Sequence, residues 1–293
     1  MGMSARFGMQ ATSLDRSEWL EIAKRSEDLG FDFLCDRDHP GSHPAPMVSL
    51  AAAAAVTSRI KLGTYVANAG VRHPIDLAVD IATLDLVSDG RAVLGLGAGH
   101  TPAEWAHRGK QRPGVEQRVA RLIDVATTTM QLLKGETVSL DRSGIRLVEA
   151  RLDERLHRDI PLLIGGNNRK ILRFAADHAD VIGLTGLGRT FADGHKHELK
   201  WSRDQLDESF AIARSGTDRT RRPEIQALVQ LVGVTDDPRP IAEKMGADFS
   251  VPAEQILASP FVLLGTVDQI VERVQQNAET WGIDSYVVRR SSL

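Results

Sequence analysis

Short apolar runs return along this chain at intervals filled by helical patterns, and that alternation constrains the fold more than any other feature. Eight runs read as strands: Arg6–Gln10, Phe31–Cys35, Ile60–Ala67, Ala92–Leu96, Ile160–Ile164, Asp180–Leu184, Ile225–Val234 and Ser285–Arg289. Between them lie helices. In Asp15–Leu29, residues Trp19, Ile22, Ala23, Ser26 and Leu29 share a face, Asp15 and Glu18 have capping-box spacing, and Gly30 takes the C′ position. Met47–Thr57 is alanine-rich. Ile75–Val87 follows Pro74 and stops at Ser88-Asp89-Gly90. Val115–Leu133 carries the stripe Val115, Val119, Leu122, Ala126, Met130, Leu133. Lys170–His178 and Glu198–Arg214 are helical, and Val267–Trp281 opens at Thr266 and Gln269 and closes at Gly282. Thr137–Val148 reads as an inserted hairpin, and Asp237-Pro238 as a break after the seventh strand.

Strands joined through helices run parallel. A closed (β/α)8 TIM barrel takes ~250 residues, and 293 residues fit it with modest insertions. The rival is an open doubly wound sheet. No linker or shift of composition divides the chain, so residues 1–293 read as a single domain.

Composition narrows the partners. The net charge of −3 creates no basic field for nucleic acid, and 42% hydrophobic residues exclude a disordered chain. The most apolar stretch, Val48–Val56, is far too short for a membrane span, and the first ten residues hold no signal-peptide core. The single cysteine, Cys35, excludes an internal disulfide and a multi-cysteine zinc site. A cytoplasmic protein with no nucleic-acid or membrane partner is expected.

In a parallel barrel, chemistry sits where strands end and loops begin. After the second strand comes Asp36-Arg37-Asp38-His39-Pro40, where His39 serves as acid, base or hydrogen-bond donor, or simply bonds a loop carbonyl. After the third, Asn68 has the chemistry to bond a polar ligand ring, while Arg72 and His73 suit a helix cap. After the fourth, Gly95-Leu96-Gly97-Ala98-Gly99-His100 lacks dinucleotide-fingerprint spacing. Its glycines would let a planar group approach the backbone, and His100 is a second candidate. After the fifth, Gly165-Gly166-Asn167-Asn168 enters a helix, either as a phosphate cradle of backbone N–H groups or as a plain capped turn. His39 and His43 lie among prolines with no carboxylate spacing that completes a metal site. His195-Lys196-His197 and Arg219–Arg222 read as solvated surface.

Together, several segments resemble the bacterial-luciferase-like superfamily. They are Asp38-His39, Arg72-His73-Pro74 leading into Ala82-Thr83-Leu84-Asp85, Ser88-Asp89-Gly90-Arg91, Leu94–Gly99, Ile164-Gly165-Gly166, and Ser259-Pro260-Phe261 with Gly265-Thr266. The tail and the Arg-His-Pro segment are similar to an actinobacterial group of coenzyme F420-dependent oxidoreductases. The resemblance implies a TIM barrel with an insertion around strand seven, a homodimer, a small-molecule substrate, and a 5-deazaflavin, coenzyme F420, with FMN as the alternative. A hydride-transferring oxidoreductase is the leading expectation. An FMN-dependent monooxygenase and a non-catalytic ligand-binding barrel are the others. The same resemblance places a non-prolyl cis peptide at Tyr65–Val66, a phosphate-binding turn on Gly165, Gly166, Asn167 and Asn168, and the site histidine at His39. Asp38, Tyr65, Val66, Asn68, Gly97 and Gly99 are expected around the cofactor. Where related sugar-phosphate dehydrogenases carry a glutamate after the Gly-x-Gly turn, this chain has His100, a second proton-transfer candidate.

Overall fold

All eight expected strands form in the computed structural model, which describes residues 5–191, 197–216 and 222–292. His195, Lys196 and residues 219–221 of the two polar runs lie outside them. The strands are β1 (Arg6–Gln10), β2 (Phe33–Asp36), β3 (Lys61–Thr64), β4 (Ala92–Gly97), β5 (Leu162–Gly165), β6 (Val181–Leu184), β7 (Glu224–Leu228) and β8 (Ser285–Arg289). The chain divides into two compact units, one of Ala11–Gly165 and one of the residues up to Gln10 with those from Gly166 onward.

In the Ala11–Gly165 unit, β2 pairs parallel with β3 from Phe33↔Lys61 to Asp36↔Thr64. Strand β3 pairs with β4 at Leu62↔Ala92 and Gly63↔Val93, and β4 with β5 at Leu94↔Leu162. Leu34, Leu62, Leu94, Leu96 and Ile164 are wholly buried on these strands, each contributing about 1.5–3 kcal/mol of transfer free energy. The close approach of β3 and β4 depends on missing side chains. A Cβ on Gly95 would stand 1.8 Å from the Thr64 carbonyl oxygen.

The third expected strand is longer in the sequence pattern than in the fold. Lys61–Thr64 ends at the cis Tyr65–Val66 peptide, and Ala67–Asn68 then pairs with β4 again at Leu96 and Gly97. The cis bond is where the resemblance put it. Helices Arg16–Asp28, Pro46–Ala54, Pro74–Val87 and Val115–Leu133 follow the expected order. The Asp15 side chain caps the first by accepting from Glu18 N at 2.7 Å. The hairpin is present as antiparallel Val138–Arg142 and Ile145–Ala150.

In the other unit, β8 pairs parallel with β1 along its full length, Arg6↔Ser285 to Gln10↔Arg289, as expected. It also pairs with β7, and β7 with β6. The seventh expected strand divides into β7 and Leu231–Val234, which pairs with Val262–Gly265. Between them residues 239–258 carry helices Arg239–Phe249 and Ala253–Ala258, an insertion near strand seven. The expected helix from Glu198 starts only at Arg203, because His197–Leu199 pairs antiparallel with Leu187–Thr190. Among the described residues no helix is long and apolar enough to cross a membrane.

Candidate active site

Strand β2 ends in a buried carboxylate. Asp36 is 1% exposed. It accepts from the Thr12 hydroxyl at 2.5 Å and from Arg37 N at 2.8 Å. Burial pushes its carboxyl above the usual aspartate value, against the pull of these donors. Two residues on, Asp38 receives Arg72 through two parallel bonds, Nε to Oδ2 at 2.9 Å and Nη2 to Oδ1 at 2.8 Å. Its Oδ2 also accepts from Asn68 N at 2.9 Å. The bond to Asp38 raises the Arg72 pKa. Asp38 thereby fixes the start of the loop that carries His39.

His39 leaves the loop with its side chain one-quarter exposed, and its Nδ1 lies 2.7 Å from Oε1 of Glu104. Glu104 belongs to the short helix Pro102–Ala106, and its side chain is only 4% exposed. Its other oxygen, Oε2, accepts from Asn68 Nδ2. Asn68 Oδ1 in turn accepts from Gly70 N at 2.8 Å. The rings of His43 and His100 both stand against His39, with centroids 5.1 and 5.4 Å away, the latter edge-on. Burial, then Arg37 and His39, lower the His43 pKa. The arrangement is an imidazole with one nitrogen tied to a buried carboxylate and the rest of its ring partly open.

In the same unit, the guanidinium groups of Arg112 and Arg118 bond backbone carbonyls. Arg112 Nη1 donates to the His100 carbonyl at 2.5 Å, and Arg118 Nη1 to the Pro113 carbonyl at 2.7 Å. Among the described residues Arg118 Nε, which is buried, has no hydrogen-bond partner, and burial followed by Arg112 lowers the Arg118 pKa. Such a pair favours an anionic group.

The turn after β5 has its own geometry. Gly166 takes φ +154, a value that favours glycine. Asn168 Oδ1 caps the helix Arg169–His178 by accepting from Lys170 N at 2.9 Å. Asn167 is occupied on both sides. Its Nδ2 donates to Thr185 Oγ1 and the Leu187 carbonyl, and its Oδ1 accepts from Gly186 N.

A family model described as luciferase-like monooxygenase matches residues 3–214. The chain belongs to this family. Among relatives of this luciferase-like chain, an F420-dependent glucose-6-phosphate dehydrogenase from Amycolatopsis mediterranei is 29% identical over 58% of this chain. The match spans only 54% of that relative's own length. A relative of the same description from Kineococcus radiotolerans is 27% identical over 90% of this chain and 79% of its own. The coenzyme F420-dependent tetrahydromethanopterin reductase of Methanopyrus kandleri superposes with a TM-score of 0.75 at 19% identity, covering 98% of this chain and 93% of that one. This likeness establishes the (β/α)8 TIM-barrel fold.

Measured against the sequence expectations, the luciferase-like site brings His39 and His100 together and adds Glu104, which they missed. The segment Thr101-Pro102-Ala103-Glu104 spells a capping box. In the fold, however, Thr101 makes no side-chain cap, and the glutamate is diverted to His39. Asn68 and Asp38 are each 3% exposed, and their bonds run to neighbouring residues of the chain. The glycines of the β4 turn are tightly enclosed. A Cβ on Gly97 would lie 2.4 Å from Val66, and one on Gly99 2.1 Å from Asn68 Oδ1. Both glycines are thus closely packed against Val66 or Asn68.

Proposed function

We propose that this protein is an oxidoreductase that uses coenzyme F420 to transfer a hydride to or from a small organic substrate. The observation that carries the reading is the His39–Glu104 pair, a partly open imidazole backed by a buried carboxylate. Its relatives described as F420-dependent support the choice of cofactor. The bound deazaflavin would supply the hydride-accepting or hydride-donating carbon of its ring.

The residues fit such a group. Arg118 Nε, buried and unpartnered, and Arg112 beside it would hold an anionic group of the cofactor. The Gly165–Asn168 turn, on the family resemblance, is assigned to its phosphate, with first-turn N–H groups of the capped helix as donors. His39 exchanges the proton that accompanies hydride movement, and His100 is the second group able to do so. Tyr65 and Val66, at the cis peptide, are assigned to the ring. A homodimer is inferred from the family resemblance, and a cytoplasmic location from the composition.

Fluorescence titration with coenzyme F420 and with FMN tests the reading, on the wild type and on Gly166→Val. Coenzyme F420 is expected to bind more tightly. The variant, which places a β-branched residue at φ +154, should distort the turn and bind either more weakly. Tight FMN binding without F420 binding would favour the monooxygenase. Binding of neither would favour a non-catalytic barrel.

A further inference from the structure

We propose that Glu104 is the positioning residue of proton transfer, holding His39 with its proton on Nδ1 and the Nε2 lone pair turned away from the carboxylate. The proposal rests on the reading of His39 as the proton-exchanging group.

An ionised carboxylate accepts hydrogen bonds and donates none. Both Glu104 oxygens have a partner, Oε1 the ring nitrogen of His39 and Oε2 the amide of Asn68. A bond from His39 Nδ1 to Oε1 therefore requires the proton on Nδ1, and the opposite nitrogen is left as the acceptor. When that nitrogen takes a proton, the imidazolium finds its counter-charge already in place. Among the described residues, His39 is the only side chain in ion-pair range of Glu104. Arg108 donates to its backbone carbonyl only.

The clamp is built from behind. Asn68 stands at the end of the interrupted third strand, its own N–H fixed by Asp38 and its Oδ1 by Gly70. The missing Gly99 side chain leaves room for that oxygen. Other charged and titratable groups around the pair are His43 and His100 against the His39 ring, Arg37 beside His43, and the Asp38–Arg72 pair.

Glu104→Gln tests this with almost no change of shape. Asn68 Nδ2 is a donor, so it holds the amide oxygen of the new side chain and turns the amide N–H₂ toward His39 Nδ1. That nitrogen must then accept, and the proton moves to Nε2. With coenzyme F420 and a turned-over substrate, kcat should fall ~10²–10⁴-fold, as when a triad carboxylate becomes an amide. KM and cofactor affinity should hold. The acidic limb of the pH–rate profile should move to lower pH, because the imidazolium has lost its counter-charge. Glu104→Asp should recover part of the rate.

NMR of isotope-labelled histidine in the wild-type protein reads the tautomer directly and needs neither cofactor nor variant. A neutral His39 protonated on Nδ1 is expected. The Nε2-protonated form would overturn the proposal, as would a folded Glu104→Gln enzyme with wild-type rate and pH profile. If the protein never turns over coenzyme F420, the functional reading fails, and the NMR spectrum still decides the role of Glu104.

Discussion

Two carboxylates in the Ala11–Gly165 unit each gather several hydrogen bonds, and the kinds they gather differ. Glu27, at the end of the first helix, accepts from the backbone N–H groups of Ser58, Arg59 and Ile60, at 3.0, 2.6 and 2.8 Å to Oε2. Glu104 accepts from side chains, one of them titratable. Backbone protons do not titrate, so Glu27 has a permanent task, pinning the entry into β3. Partial burial pushes its pKa up, yet the bonds from Ile60, Arg59 and Ser58 bring it to about 2. Glu104 instead faces an imidazole, a ring able to carry one proton or two. A carboxylate that collects backbone donors fastens the fold, and one that collects a histidine sets a chemical state.

The sharpest break between the two regions is at His39. His39→Ala should lower turnover ~10²–10⁴-fold with little change in cofactor affinity, measured by steady-state kinetics beside a cofactor titration. Wild-type turnover would place the Glu104 region in the same class as the Glu27 region.

A smaller effect is expected behind the site. Gly99→Ala puts a methyl 2.1 Å from Asn68 Oδ1 at φ +72. Strain and crowding together should cost about 2–3 kcal/mol in denaturant unfolding. A loss within a few tenths of a kcal/mol would mean that Asn68 yields easily and that the clamp on Glu104 is loose.

The smallest effect belongs to Glu27. Glu27→Gln should leave turnover unchanged and remove about 1 kcal/mol of stability, a figure reduced for the water on its open side. The folded pKa is depressed, so the contribution is full above pH 4.5 and is lost as pH falls toward about 2. Acid unfolding of the variant should be correspondingly flatter across that window. Equal acid profiles for the two proteins would remove the contrast.

What was legible in the sequence follows from how strongly each element repeats. Val115–Leu133 and Val267–Trp281 form with the expected boundaries, because long apolar stripes and end signals agree. The second also has its box: Thr266 accepts from Gln269 N, and Gly282 sits at φ +58. Arg239–Phe249 went unread, since Pro238 and Gly246 obscure a short pattern. The Pro102–Ala106 helix has five residues, too few to show a helical period, and Glu104 was overlooked with it. His39 was legible because a histidine after a strand is chemically conspicuous. Its partner was not, because pairing across 65 positions leaves no mark on local spacing.

Arg121 shows how such distant pieces are held in common. From Val115–Leu133 its guanidinium donates to the carbonyls of Ala69, Gly70 and Arg72 and, through Nη1, to that of Ser143 at the hairpin tip. One side chain thus fastens the loop that delivers Arg72 to Asp38 and a hairpin far from it in sequence. The hairpin is therefore more than a decoration inserted between repeats. Its tip and the loop beyond Asn68 share one guanidinium, so lengthening the hairpin at Ser143 should be felt in the loop that follows Asn68.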